Sequence, residues 1–434
     1  MYMPHNFFAV HNREEFKHKV LAWISQFNIF CFLENSGYYH QDGFRCLVAI
    51  QRGPNGPQIV LHPFQDPFDC LYHFHNEHKQ WIFGHLSYEL NSGLLETRPL
   101  RVQFPQGFFF VPDILLELHN DGVSVLLSDC PGKQLMEEIE QCSPIEDEKN
   151  NVIIKATHHR ASYLQALENV KAHIRRGDCY ELNYCQEFFG DARINPATVY
   201  NSLNSISPNP FSAFYRVNNQ YCLCASPERF VSKSGEVVVS QPIKGTAPRY
   251  VDSYEDERSR AGLAESKKDK SENVMVVDLV RNDLSRVCIP GSVTVPSLFS
   301  VYSFKGVHQM ISTVMGRLEK HNTFADVLDV CFPMGSMTGA PKKRVMELIH
   351  RYELSGRGIY SGSIGYITPD QDMDFNVVIR SLLYDKSKEV FSFHAGGGIT
   401  HYSDPEKEFE ESLLKTKAIR KVLTGSFDTD DVVE

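Results

Sequence analysis

The sequence predicts an α/β (α+β) fold, and three observations predict it. Short runs rich in β-branched and aromatic residues fill residues 1–150. Beyond them, strand-like runs alternate with long amphipathic stretches of helical period. No internal repeat or low-complexity segment breaks the pattern, although the chain holds 22 prolines and 27 glycines.

The amino-terminal strands are read at Arg45 to Ile50, Gln80 to Tyr88, Gly107 to Val111 and Gly122 to Leu127, punctuated by Gly, Pro, Asn and Asp. The charged run from Glu137 to Asn151, with Pro144 inside it, is the candidate connection to an undivided unit spanning 151–425. Tyr163 to Arg176 predicts a helix with Leu164, Leu167, Val170 and Ile174 on one side and Gly177 as its stop. Further strands are read at Glu236 to Val239, Gly362 to Thr368 and Val390 to His394. Residues 426–434 carry four acidic groups and read as a frayed tail.

Three further helices carry the candidate chemistry. Asp252 to Arg286 holds two charged stretches, the second aligning Glu272, Val276, Leu279 and Asp283 on one face. Gly339-Ala340-Pro341 opens a helix with Val345, Leu348, Ile349 and Tyr352 inward, proline being tolerated in a first turn. Its amides would point toward Gly335-Ser336-Met337-Thr338 as an anion cradle. The third helix begins at Ser403-Asp404-Pro405 and sets Glu408, Glu411 and Lys415 on one face.

Composition excludes several classes. A hydrophobic fraction of 42% with 23% charged residues belongs to a globular chain that is not disordered. No stretch approaches ~20 uninterrupted apolar residues, so no membrane span is expected. Met1 to Phe8 lacks the basic head and long apolar run of a secretory signal. Eleven cysteines without a CxxC pair predict reduced thiols and a cytoplasmic setting. A formal charge of −10 argues against broad nucleic-acid binding but permits a local basic pocket.

Lys244 stands out within Pro242-Ile243-Lys244-Gly245-Thr246, sixteen residues after Glu228 in Ser226-Pro227-Glu228. Such an amine serves either as a nucleophile or as an ion-pair partner. Glu272, Glu408 and Glu411 would suit a hard cation if they faced inward, whereas acidic helix faces are more often solvated. Gly396-Gly397-Gly398 reads as an oxyanion-binding nest or as a tight turn. Arg380, closing the apolar run Asn376 to Ile379, requires a carboxylate from the substrate or the protein. A nucleotide-binding loop at Gly335 to Lys343 is rejected, because proline precedes Lys342 and no Ser or Thr follows it.

Taken in order, these segments resemble the chorismate-utilising enzymes. The resemblance runs through Ser226 to Glu228, Pro242 to Thr246, Ser271 to Asn273 with Val277 to Leu284, and Gly335 to Lys342. It continues through Tyr360 to Tyr366, Ile379 to Ser381, Ala395 to Ile399, and Ser403 to Ala418, covering nearly all of 155–420. Residues 1–150 correspond to the family only loosely. The resemblance implies two packed, antiparallel-rich sheets forming a sandwich core with helices outside.

It also implies site roles. Lys244 would be a covalent nucleophile and Glu228 a general acid. Mg2+ would be held by Glu272 and Glu411, with Glu408 in its outer shell. Tyr360, Arg380, Gly396, Gly397, Gly398, Thr246, Ser336 and Lys415 would contact the substrate, chorismate. Within the family the anthranilate enzymes typically carry alanine at the place of Lys244 and histidine at that of Asn273. The lysine and Asn273 therefore imply the aminodeoxychorismate branch, in which ammonia replaces the C4 hydroxyl on the route to p-aminobenzoate and folate. Anthranilate formation is the alternative. The isochorismate and salicylate synthases place a water-activating lysine where this chain has Glu181. Gln309 stands where the family often has histidine, and His308 would substitute only by a one-residue shift. For Lys244 to attack, its pKa is expected to fall through burial and a nearby cation. The ammonia would come from free ammonium or from a separate glutamine amidotransferase subunit.

Overall fold

The computed structural model describes residues 6–36, 38, 46–93, 98–143, 152–425 and 432–433. Among these, two large sheets account for nearly all strands. The first contains, in spatial order, Asn6–Ala9, Gly122–Leu127, Ile114–Leu118, Cys46–Gln51, Ile29–Glu34 and Phe211–Val217. It continues through Gln220–Ser226, Ser381–Asp385, Val390–Ile399, Glu181–Asp191, Ile154–Ala156 and Val432–Val433, with Gly339–Ala340 beside Glu181.

The second sheet contains Ile243–Pro248, Val307–Arg317, Val237–Gln241, Arg229–Ser234, Met373–Asn376, Ser363–Ile367, Ile82–Leu86, Gly107–Phe110 and Gln58–Leu61. Thr294–Ser303 joins it alongside Val307–Arg317. Pairing is antiparallel except where Val432–Val433 runs parallel to Ile154–Lys155. The expected pair of antiparallel-rich sheets with helices outside is what the chain forms. Strands of the amino-terminal portion extend both sheets.

Period-two alternation explains the layering. Along Ile29–Glu34, Phe30 and Phe32 join a core with Val20, Leu21, Tyr200, Ile419 and Leu423 of the flanking helices. Ile29 and Cys31 point the other way, into a core shared with Phe83, Phe110 and Ile364 of the second sheet. A third core lies between that sheet and its own helices, where Leu71, Val276, Leu284 and Leu328 meet. Each such fully buried aliphatic or aromatic side chain contributes about 1.5–3 kcal/mol.

The helices begin where their caps allow. Asp404 accepts from the amides of Glu406 and Lys407, Pro405 fills the first turn, and Gly425 closes Pro405–Thr424 at φ +79°. The stretch 252–286 is two helices, Ser253–Glu265 and Lys267–Ser285, divided at Ser266, whose side chain caps the second. Arg160–Arg175 forms as the periodicity predicts. The helix after Gly339 is Lys342–Tyr352, with Pro341 as its N-cap and Gly339–Ala340 drawn into pairing with Glu181–Leu182.

Several expectations are corrected. Glu137 to Glu140 complete the helix Gly132–Glu140 instead of opening a linker, because Leu135 and Ile139 are buried. Residues 144–151 of that expected linker lie outside the described residues, as do Arg45, Met1 to His5 and 426–431 of the tail. The strand Val390–Ile399 runs through all three glycines, so Gly396 to Gly398 make no turn. Arg380 sits in a bend between strands, at φ +53°, not in a strand.

Candidate active site

Lys244 leaves the strand Ile243–Pro248 at an irregularity. Register with Val307–Arg317 shifts between Ile243 and Thr246, and Gly245 takes φ +91° there. The shift aims the Lys244 side chain inward, where it is buried and ion-paired with Glu181. Glu181, at the start of Glu181–Asp191, is equally buried. Burial works to depress the Lys244 ammonium, but Glu181, Glu272 and Glu228 outweigh it and hold its pKa above the usual lysine range. The expected depression is therefore overturned in this arrangement, for a simple reason: carboxylates surround the amine.

Glu228 lies in the turn before Arg229–Ser234, with its amide donating to Ser226 Oγ at 3.2 Å and its carbonyl accepting from Val377 N at 3.0 Å. Burial pushes its carboxyl up to about 7, against the opposing pull of the Ser336 hydroxyl and the Lys244 ammonium. Ser336, in the short 3-10 turn Gly335–Met337, leans toward Glu228 without completing a well-formed hydrogen bond. A carboxyl that is half-protonated near neutrality suits a proton donor.

The glycine strand forms the floor. A Cβ on Gly396 would lie 1.8 Å from the Tyr184 carbonyl oxygen, so only glycine fits against the neighbouring strand. The position of a Cβ on Gly397 is 3.2 Å from Glu408 Oε2, 3.6 Å from Lys415 Nζ and 3.7 Å from Glu411 Oε1. The neighbouring strand Ser381–Asp385 pairs only with Val390 to Phe393, so beyond that point one edge of the glycine strand runs without it.

Over that floor stand charges from two helices. Lys415 Nζ pairs with Glu411 Oε1 at 2.7 Å and donates to the Gly396 carbonyl at 2.7 Å. The Lys415 ammonium draws the Glu411 carboxyl below the usual range. Glu408 is buried and faces Lys268 Nζ at 3.3 Å, and the same ammonium stands 3.8 Å from Glu272 Oε1. Burial pushes Glu272 up to about 7. Its Oε1 makes no hydrogen bond. Among the described residues, no three His, Cys, Asp or Glu side chains converge as a ready-made metal cluster.

Arg380 is the site's unmatched cation. Its Nη1 donates to the Lys415 carbonyl at 3.4 Å, and among the described residues no carboxylate lies within ion-pair distance of it. Burial pulls its pKa below the ordinary arginine value. Tyr360 stacks on His394 with ring centroids 4.8 Å apart, and its hydroxyl meets Cys185 Sγ at 3.4 Å. Beneath them Arg357 is buried, bonding Glu353 with two nitrogens at 2.9 and 2.6 Å and the carbonyls of Met337 and Asn183 at 2.6 and 2.8 Å.

Most expected site residues therefore converge, but two do not take the expected place. Thr246 is exposed on the far side of the register shift, opposite Gln309. His308 has both ring nitrogens engaged, by Ser303 Oγ at 2.9 Å and Asp256 Oδ1 at 3.1 Å, so no one-residue shift brings it to the site. Asn273 is fully buried and accepts from Ser312 Oγ at 2.5 Å. Lys268, Arg357 and the pairing partner role of Glu181 escaped sequence reasoning. Lys268 and Arg357 each carried a signal, their i,i+4 spacing to Glu272 and Glu353. Leu33, Glu34 and Asn35 line a separate cavity with residues of both sheets.

A family model described as chorismate binding enzyme matches residues 52–421. Aminodeoxychorismate synthase component 1 of Klebsiella aerogenes is 41% identical over 265 residues, 61% of this chain, which spans 58% of that relative's length. Anthranilate synthase component 1 of Saccharolobus solfataricus is 32% identical over 353 residues, 80% of this chain and 81% of that protein. The crystal structure of anthranilate synthase component I from Streptococcus pneumoniae TIGR4 matches with a TM-score of 0.76 at 25% identity, over 88% of this chain and 93% of that one.

Proposed function

The chain belongs to the chorismate-binding enzyme family, and within it we propose that it aminates chorismate at C4, giving 4-amino-4-deoxychorismate as an aminodeoxychorismate synthase component I. The observation that carries this reading is Lys244, a buried amine set beside the buried carboxyls of Glu181 and Glu228. Relatives named for that activity support it.

In the proposed reaction the Lys244 amine attacks C2, both ring double bonds shift, and Glu228 gives its proton to the departing C4 hydroxyl. Ammonia then adds at C4 and expels Lys244, and Glu228 recovers the surplus proton. Arg380 would pair with a substrate carboxylate, with Tyr360 and the glycine-strand amides alongside, and Lys415 would steady Glu411 and the Gly396 carbonyl. The ammonia is proposed to come from free ammonium or from a separate glutamine amidotransferase subunit.

The residues fit Mg2+. The donors are hard carboxylate oxygens, Glu272 Oε1 lacks a hydrogen bond, and Lys268 already places positive charge between Glu272 and Glu408. Glu272 and Glu411 would hold the ion, with Glu408 outside them and Lys268 withdrawn. When bound, it would neutralise the ring carboxylate of the substrate.

The test is incubation with chorismate, a magnesium salt and an ammonium salt, followed by mass analysis. 4-Amino-4-deoxychorismate is the expected product. The similarity to an anthranilate synthase component over 80% of the chain favours a second reading, and release of anthranilate with pyruvate would install it. Trapping separates the two further: chorismate without ammonia should leave an adduct on Lys244, absent in Lys244→Ala.

A further inference from the structure

We infer that Glu181 is the proton acceptor that converts Lys244 from ammonium to amine for its attack, a role that rests on the amination proposed above. The two side chains come from different sheets, Glu181 from the first and Lys244 from the second. Both are buried and in direct contact, so a proton passes between them without water. In a low-dielectric contact of this kind, moving one proton neutralises both charges and removes two burial costs together.

The other carboxylates facing the amine have different tasks. Glu228, from the turn before Arg229–Ser234, must keep its proton for the leaving hydroxyl. Glu272, from Lys267–Ser285, is committed to Lys268 and the proposed cation site. Glu411, from Pro405–Thr424, is paired with Lys415. Glu181 has Lys244 as its ion-pair partner and makes no other among the described residues.

The protons balance. Lys244 ammonium passes one proton to the Glu181 carboxylate, and the free lone pair forms the N–C2 bond. The C4–O bond breaks and water leaves carrying the Glu228 proton. Ammonia forms the C4–N bond, the N–C2 bond breaks, and Lys244 departs as the neutral amine. Glu228 takes the extra proton of the new C4 ammonium, and Glu181 returns its own to Lys244. Chorismate and ammonia have become the amino product and water, with no oxidant or reductant.

The experiment follows adduct formation on Lys244 by intact mass, after mixing the protein with chorismate and magnesium but no ammonia, from about pH 6 to about pH 9. Glu181→Gln keeps the volume and removes the base; Glu181→Asp keeps the base at shorter reach. We expect Glu181→Gln to form the adduct on the order of a hundredfold more slowly near pH 7, with the deficit relative to wild type narrowing as pH rises. Glu181→Asp should restore part of the rate, and chorismate affinity should stay near wild type in both. Adduct formation in Glu181→Gln at the wild-type rate or faster, with the same pH profile, would overturn the role of Glu181 while leaving the amination standing. No adduct in the wild-type protein would remove both.

Discussion

Gly398 and Glu181 compete for one point in space: a Cβ on Gly398 would lie 2.5 Å from Glu181 Oε1 and 2.8 Å from Lys244 Nζ. The glycine is thus what lets a buried ion pair lie flat against a strand. Gly398→Ala should displace the pair and cut turnover by on the order of tenfold or more, since small misplacements of reacting groups are costly. Steady-state rates with chorismate and ammonium, beside circular dichroism to show an intact fold, check this.

The pH dependence of the first step should report Glu228. Its carboxyl is raised to about 7, so the proton-donating form is present below that value and is lost as pH rises through it. With saturating magnesium, adduct formation should fall about tenfold per pH unit above the limb. Glu228→Gln should be slower by on the order of a hundredfold and show no such limb. Rapid-quench mass analysis across pH separates the two.

Glu272 titrates in the opposite functional sense. With its carboxyl raised to about 7, protons compete for it below that pH, so magnesium affinity should weaken as pH falls. Glu272→Gln and Glu411→Gln should abolish magnesium-dependent turnover, since each loses a charge and a hard ligand. Lys268→Ala, which removes the resident ammonium, should tighten magnesium binding by about two- to fivefold. Isothermal titration with magnesium alone reads the affinities, and steady-state rates with chorismate and ammonium read the loss of turnover.

Arg380 lacks a protein carboxylate, and its function as a substrate clamp predicts a binding defect. Arg380→Lys should raise KM for chorismate on the order of tenfold, because an ammonium does not reproduce the planar fork. Melting temperature should change little.

Arg357 should behave differently. Arg357→Met leaves Glu353 buried without its partner and strips the carbonyls of Met337 and Asn183 of a donor. A loss of about 3–5 kcal/mol in stability is expected, read by denaturant unfolding.

Part of this was legible in the residues. Period two and period 3.6 marked the strands and helices, and the Asp404-Pro405 signal placed the helix that presents Glu408, Glu411 and Lys415. The glycine triplet misled, because local propensity reads glycines as a break while pairing with Glu181–Asp191 holds them extended. The ion pair between Glu181 and Lys244 spans 63 positions and two sheets, so no periodicity encodes it. Nor did Lys244 itself reveal its charge state, which is set by carboxylates from three other segments.

The weaving of the first strands through both sheets has a last consequence. Phe211–Val217 and Ser363–Ile367 are interior strands only because Ile29–Glu34 and Ile82–Leu86 lie against them. A fragment lacking residues 1–127 would present two raw edges, each a row of unpaired amides and carbonyls on a buried, apolar strand. Such edges recruit strands from other molecules. The amino-terminal segment thus acts as a solubility guard for the rest of the chain.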